Sequence, residues 1–121
     1  MKTVLDTNAI LYLLGGRLAH PLPVAEYFIS VISEMELLSY PSLDEPAQAK
    51  IEEFLSRVIV IGLNEEVKTL AIRLRKQYSL KLPDAIIAAT ALSLGASLLT
   101  NDSRLLQLPE LRSQALALKE G

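Results

Sequence analysis

Short apolar runs alternate with helical patterns along the chain, and this alternation is the feature that most constrains the fold. Runs of strand length occupy residues 2–5, 27–32, 58–61 and 96–100, with a fifth candidate at 114–118. Chains that alternate strands and helices in this way build a mainly parallel sheet with helices on both faces. The sequence therefore predicts an α/β fold of three α/β/α layers, with a central, mainly parallel sheet of four to five strands.

Two segments add detail to this prediction. The run Val-Ile-Val-Ile at 58–61 contains no polar residue, which is typical of a strand buried on both faces. The helical segment at 84–94 is apolar nearly all round and is predicted to be a buried helix. Before both of these segments, residues 33–40 favour a helix directly after the second strand.

Composition excludes several classes of protein. The 121 residues include no cysteine and one histidine, so disulfide scaffolds, thiolate zinc sites and multi-histidine zinc sites are excluded. A net charge of -2 excludes a strongly basic nucleic-acid binder. No apolar stretch is long enough to span a membrane, and we expect a cytoplasmic protein. The size predicts one domain over 1–118, with 119–121 as a loose tail.

Acidic residues stand where an open parallel sheet places its ligands. Asp6 directly follows the first strand, and Asp102 follows the fourth strand by two residues. Glu36 and Asp84 are predicted in the first turns of two helices near the same edge. Ligands of open α/β sheets bind beyond the carboxyl ends of the strands. Carboxylates that converge there repel one another unless a hard divalent cation such as Mg²⁺ or Mn²⁺ neutralises them.

Each acid also has a purely structural interpretation. Asp6 and Asp102 are common helix N-caps, and Ser33 with Glu36 fits a capping box. Asp84 in a first helical turn complements the helix dipole. No single acid is specific, so the argument for a metal site depends on the joint placement of all of them at one end of the sheet.

Four segments, VLDTNAIL, ISVISEMELL, LPDAIIAATAL and LLTNDSRLL, resemble in their order and spacing those of a PIN domain. More narrowly, the chain is similar to the small VapC-type toxins of bacterial and archaeal toxin–antitoxin pairs. The resemblance runs over nearly the whole chain, from residue 2 to about residue 118. It implies an α/β/α nuclease that cleaves RNA, or DNA in some branches, with Mg²⁺ or Mn²⁺.

The same resemblance assigns roles to residues. It implies that four acids bind the metal and carry catalysis: Asp6, Glu36, Asp84 and Asp102. Polar residues that match the family pattern and are expected to position the substrate are Asn8, Thr100 and Asn101. Many relatives carry a further acid just beyond Asp102, whereas this chain has Arg104 and Leu105 there. The sequence is therefore compatible with a site for one metal ion and with a site for two.

The implied protein is an endoribonuclease toxin that hydrolyses RNA phosphodiester bonds through a metal-activated water. Its expected partners are the RNA substrate, a cognate antitoxin and a second copy of the chain in a homodimer. Some apolar residues exceed what one small core needs and are candidates for a dimer face or an antitoxin groove: Leu11, Leu14, Leu37, Leu38 and Tyr40. A set of basic residues suits either an RNA backbone or a solvated helix face: Lys68, Arg73, Arg75, Lys76 and Lys81.

Two other functions compete with this one. A phosphoacceptor receiver domain has similar length and also binds Mg²⁺, but it needs an acidic pair after its first strand and an Asp that ends its third. Here Asp6 stands alone, and the third strand is followed by Gly62 and Leu63. A PIN-like module that has lost activity and only binds partners is the second alternative, against which the complete set of acids argues.

Overall fold

The chain folds as strands alternating with helices, as the sequence predicts. The computed structural model describes residues 1–120. In chain order the elements are β1 (Lys2–Leu5), α1 (Thr7–Leu14), β2 (Glu26–Ser30), α2 (Val31–Leu38), α3 (Glu45–Arg57), β3 (Ile59–Ile61), α4 (Glu65–Tyr78), α5 (Leu82–Leu94), β4 (Ser97–Leu99), α6 (Ser103–Leu106) and β5 (Ser113–Gln114). Within the described residues, no helix is long and apolar enough to cross a membrane.

The sheet contains five parallel strands in the order β3-β2-β1-β4-β5. β1 lies at the centre, and its Leu5 is in register with Leu99 of β4. Residues 6 and 100 therefore emerge side by side at the carboxyl edge. Receiver domains instead use the order 2-1-3-4-5, so the topology excludes that alternative.

Two apolar cores lie on opposite faces of the sheet, which confirms the three-layer prediction. Val4, Phe28 and Leu98 pack with buried residues of α4 and α5 on one face. Leu5, Ile29 and Leu99 pack on the other face with α1, α2 and α3. α5 is buried continuously over residues 85–91, as its apolar sequence predicts. Its first turn is thereby held against the carboxyl edge of the sheet.

The prediction that β3 is buried on both faces is wrong. β3 lies at the edge of the sheet, where Ile59 keeps 53% of its surface exposed and Val60 and Ile61 are only partly buried. An apolar run shows that a segment favours a strand. It does not show how many neighbours that strand acquires.

The start of α2 differs from the prediction by two residues. The helix begins at Val31, and the Ser30 hydroxyl caps it by accepting a hydrogen bond from the Ile32 amide at 3.0 Å. The alternative interpretation of Ser33 and Glu36 as a capping box therefore does not apply, since Ser30 is the N-cap. Glu36 lies in the second turn of α2 rather than the first.

The carboxyl-terminal segment also departs from the pattern. β5 covers Ser113–Gln114 rather than 114–118, and Leu118 instead forms an isolated antiparallel bridge with Leu18. The predicted loose tail at 119–121 includes Gly121, which lies outside the described residues. Within the tail, the Lys119 amide donates to the Arg17 carbonyl at 2.8 Å.

Candidate active site

Asp6 is the buried member of the acid set, with 6% of its surface exposed. Its Oδ1 accepts a hydrogen bond from the Ala9 amide at 2.8 Å, so Asp6 is the N-cap of α1 as well. Its Oδ2 accepts a hydrogen bond from the hydroxyl of Thr100 on the neighbouring strand end. Both carboxylate oxygens are therefore fixed, one by a helix and one by the sheet.

Thr100 links Asp6 to Asp102. The same hydroxyl that donates to Asp6 accepts a hydrogen bond from the Asp102 amide at 3.0 Å. Asp102 caps α6, since its Oδ1 accepts from the Arg104 amide at 2.8 Å and from the Leu105 amide at 3.3 Å. The capping interpretation and the site interpretation thus apply to the same two aspartates, because the helices start at the edge where a ligand would bind.

Glu36 is held by Thr7, the first residue of α1. Thr7 donates from Oγ1 to Glu36 Oε1 at 2.6 Å, and the same hydroxyl lies 2.9 Å from Ser33 Oγ. Ser33 is fully buried, whereas Glu36 is exposed. The only sequence signal for this role was the hydroxyl of the residue directly after Asp6. The contacts of Thr7 with Ser33 and Glu36 span 26 and 29 residues of sequence, so they depend on the topology of the fold.

Asp84 lies in the first turn of α5, as predicted. With Asp102 it lines a surface cleft of about 360 Å³, the acid cleft, whose other lining residues are Lys81, Ser103 and Arg104. The position of Arg104 relative to the acids could not be predicted from local sequence patterns. The structure places this cation, together with Lys81, directly beside two of the predicted metal ligands.

The four acids influence one another electrostatically. Burial raises the pKa of Asp84 most, and the negative charges of Asp102, Asp6 and, less strongly, Glu36 raise it further, while Lys81 opposes them. The arrangement therefore concentrates negative charge at the carboxyl edge of the sheet.

Burial also raises the pKa of Asp6. The hydrogen bonds from Thr100 and from the Ala9 amide oppose this rise, and the charge of Asp102 adds to it. A buried carboxylate that is stabilised by hydrogen bonds but still disfavoured as an anion is suited to gain a positive partner.

The donor set suits a hard divalent cation in its chemistry. All four predicted ligands offer carboxylate oxygens, which Mg²⁺ and Mn²⁺ prefer, and their mutual repulsion favours a bound positive charge. As the side chains stand, the described residues contain no group of three or more acidic, histidine or cysteine side chains arranged to hold one ion.

The predicted substrate-positioning residues occupy three different environments. Asn8 is exposed, and Thr100 is buried between the aspartates. Asn101 uses both amide atoms on the backbone of Leu116, donating from Nδ2 to the carbonyl at 3.2 Å and accepting from the amide at 2.7 Å. Their role in positioning a substrate stays a prediction, and Asn101 has a clear structural role in anchoring the carboxyl-terminal segment.

The surplus apolar residues divide between core and surface. Leu37 is fully buried, so its prediction as a docking residue is wrong. Leu11, Leu14 and Tyr40 line a pocket of about 440 Å³ formed with the start of α3, which we call the α1–α3 groove. Leu38 nearby is 46% exposed. An apolar surface therefore exists at α1 to α3.

A family model described as "PIN domain" matches residues 3–111. The solved structure of VapBC2 from Rickettsia felis bound to promoter DNA is similar, with 25% identity over 96% of this chain and 99% of that chain and a TM-score of 0.80. DNA-bound VapBC from Salmonella typhimurium is 25% identical over 95% of this chain and 98% of that chain, with a TM-score of 0.81. VapBC-1 from nontypeable Haemophilus influenzae is 27% identical over 95% of this chain and 98% of that chain, with a TM-score of 0.76. No curated protein matches the sequence.

Proposed function

Because the chain belongs to the PIN domain family, we propose that it is a Mg²⁺- or Mn²⁺-dependent endoribonuclease and the toxin of a VapBC-like toxin–antitoxin pair. The observation that carries this proposal is the placement of carboxylates at one edge of the sheet: Asp6 and Asp102 follow adjacent parallel strands and are joined by the Thr100 hydroxyl, and Asp84 is close enough for their charges to add to the effect of burial in raising its pKa. Negative charge concentrated in this way suits the binding of a divalent cation, and a cation held there would attract a phosphodiester.

In this proposal the metal is held by Asp6, Glu36, Asp84 and Asp102. A bound divalent cation would polarise the scissile phosphate and lower the pKa of the attacking water. Asp6 contributes a carboxylate whose orientation is set in advance by Thr100 and the start of α1. Glu36 is the most exposed of the four, and in this proposal its carboxylate would accept the proton of the attacking water. Thr7 restrains the Glu36 carboxylate by donating a hydrogen bond to it.

A cognate antitoxin is the proposed protein partner. The similar solved structures from Rickettsia, Salmonella and Haemophilus are VapBC complexes, which supports such a partner here. The α1–α3 groove and the exposed Leu38 beside it offer the apolar surface for it. We propose a homodimer and a cytoplasmic location on the family likeness alone.

The decisive experiment is cleavage of a mixed RNA pool by the purified protein with Mg²⁺, with Mn²⁺ and with EDTA, alongside Asp6→Asn. Asn caps helices about as well as Asp, so this variant keeps the start of α1 and removes the charge. Glu52→Gln is the matched control, because it neutralises an exposed acid on α3. We expect metal-dependent cleavage by the wild type and by Glu52→Gln only.

Cleavage that continues in EDTA or in folded Asp6→Asn would overturn the proposed mechanism. If no protein cleaves RNA, a calorimetric titration with Mg²⁺ and Mn²⁺ separates the remaining possibilities. Absence of metal binding by the folded wild type would favour the inactive PIN-like binding module. A preference for single-stranded DNA over RNA would keep the chemistry and change the substrate.

A further inference from the structure

A second pocket adjoins the acid cleft. It has a volume of about 380 Å³ and lies between the end of α4 and the region of α6, with Tyr78, Ser79, Leu80, Arg104, Gln107 and Leu108 as its lining. We call it the α4–α6 pocket. Arg104 lines both this pocket and the acid cleft, so the two cavities are neighbours that share one cation. The volume lies within the ~300–1,000 Å³ typical of small-molecule sites.

The walls of the α4–α6 pocket are held in place before any ligand arrives. Tyr78 donates from its hydroxyl to Glu110 at 3.0 Å, and Glu110 pairs with Arg73 at 2.6 Å. Arg75 Nε donates to the Leu80 carbonyl at 3.3 Å, which fixes the turn that ends α4. A site with preset walls loses less conformational entropy when it binds a ligand.

The pocket combines apolar walls with a few polar groups. Leu80 and Leu108 are buried at its base, and Tyr78 adds an aromatic ring. Ser79 and Gln107 are exposed and supply a hydroxyl and an amide. This combination matches a flat, heteroaromatic ring that has polar edges and apolar faces. An unstacked nucleobase in single-stranded RNA is such a ring.

The charges beside the pocket match the phosphate that would accompany a base. The acid cluster repels RNA, so binding needs local positive charge. Several basic residues elsewhere are neutralised by acids, such as Arg73 by Glu110. Among the ion pairs of residues 1–120, none involves Lys81 or Arg104. Lys81 lines the acid cleft, where its charge already acts on Asp84, whereas Arg104 lines both cavities and supplies the positive charge at their boundary.

We propose that the α4–α6 pocket binds one nucleobase of single-stranded RNA, next to the phosphodiester in the acid cleft. Arg104 contacts the phosphate between them, and Gln107 reads the edge of the base. The pocket then sets which nucleotide flanks the cleavage site. This inference rests on the proposed ribonuclease function, whose catalytic residues it does not use.

The test compares Gln107→Leu and Arg104→Gln with matched controls on the distant helix α3, Gln48→Leu and Arg57→Gln. All four positions are exposed, so the variants are expected to fold, and thermal unfolding checks this. Sequencing of cleavage products from a random RNA pool gives the nucleotide preference at each position. Binding of short labelled single-stranded RNAs to the uncleaving Asp6→Asn background, across a salt series, gives affinity and charge dependence.

We expect Gln107→Leu to reduce the preference at one flanking nucleotide by roughly fivefold to tenfold, the effect of losing one ordinary hydrogen bond. Arg104→Gln should weaken binding of all sequences alike and lower the salt slope by about one charge. Both controls should match the parent. An unchanged cleavage profile for Gln107→Leu, with an unchanged salt slope for Arg104→Gln, would overturn the pocket.

The two levels of the proposal fail differently. Metal-dependent cleavage with a preference that Gln107→Leu leaves intact and a salt slope that Arg104→Gln leaves unchanged would overturn the pocket and keep the ribonuclease. RNA binding that depends on Arg104 and Gln107, without cleavage under any metal, would support the pocket and overturn the ribonuclease.

Discussion

The two halves of the acid site are built differently. In one half, Asp6 and Asp102 follow adjacent strands and are joined by Thr100, and each carboxylate also caps a helix. In the other half, Glu36 and Asp84 extend from α2 and α5, and Glu36 is held by a single threonine hydroxyl. The register of the sheet fixes the first half, whereas helix placement positions the second.

This difference teaches how a site can be prearranged and still adjust. The half that is fixed by strand register, Asp6 and Asp102, would set the position of a bound cation. A half carried on helices, with exposed or half-buried side chains, has the freedom to close around it. The raised pKa of Asp84 is consistent with a site whose charges are incompletely balanced in the folded chain alone.

The largest expected effect is that of Asp84→Asn in the adjustable half. If all four acids hold the metal, activity on RNA should fall by more than ~100-fold. Mutation of a residue that only hydrogen-bonds to a metal ligand typically lowers metal affinity or activity by about 10–100-fold, and loss of a ligand itself should cost more. The fold should become more stable near neutral pH, because the variant removes an anion whose charged form burial and three acids disfavour. Cleavage assays and thermal unfolding in EDTA measure the two effects.

The stability difference between the wild type and Asp84→Asn should depend on pH in a definite direction. Because the pKa of Asp84 is raised in the folded state, the folded chain binds more protons than the unfolded chain between the two pKa values. Stability should therefore fall as pH rises from the unfolded pKa through the folded one, and less so in Asp84→Asn. A variant less stable than wild type at neutral pH in EDTA would show that Asp84 is structurally required.

Thr100→Val tests the fixed half and should have the second largest effect. Asp6 Oδ2 loses its donor and the Asp102 amide loses its acceptor, while the shape of the side chain is kept. We expect a loss of ~10–100-fold in activity and about 1–3 kcal/mol in the free energy of unfolding. Thr100→Ser, which keeps the hydroxyl, should recover most of the activity. Equal losses in Val and Ser variants would point to packing instead.

Thr7→Val tests the adjustable half and should have the smallest effect. Glu36 loses one hydrogen bond from a partly exposed threonine, so we expect about tenfold lower activity at most. Stability should change by about 1 kcal/mol, since buried Ser33 also loses a partner. Thr7→Ser is the control and should behave as wild type. A loss as large as that of Thr100→Val would remove the distinction between the two halves.

The sequence predicted the strand–helix alternation, the parallel sheet and the placement of Asp6, Asp84 and Asp102 at helix starts near one edge. These features follow from local patterns: short apolar runs, capping residues and breaks. The edge position of β3 was not predicted, because an apolar run has the same sequence pattern in a central strand and in an edge strand. The role of Thr7 was missed for a related reason.

Thr7 and Ser33 each look like ordinary helix residues when only their neighbours in sequence are considered. Their contact, and the contact of Thr7 with Glu36, arises because α1 and α2 follow adjacent strands. The same limit applies to Arg104, whose place between two cavities depends on how α6 meets α4 and α5. Such long-range contacts follow from topology, which local patterns constrain only loosely.

The central position of β1 has a consequence for the order of folding. Asp6 directly follows β1, and the hydrogen bond from Thr100 joins two residues that lie 94 positions apart in the sequence. Contacts this distant in sequence form slowly, because loop closure precedes the energetic gain. During synthesis from the amino terminus, a nascent chain carries Asp6 long before it contains β4. The fixed half of the site therefore cannot assemble until β4 and Thr100 have left the ribosome.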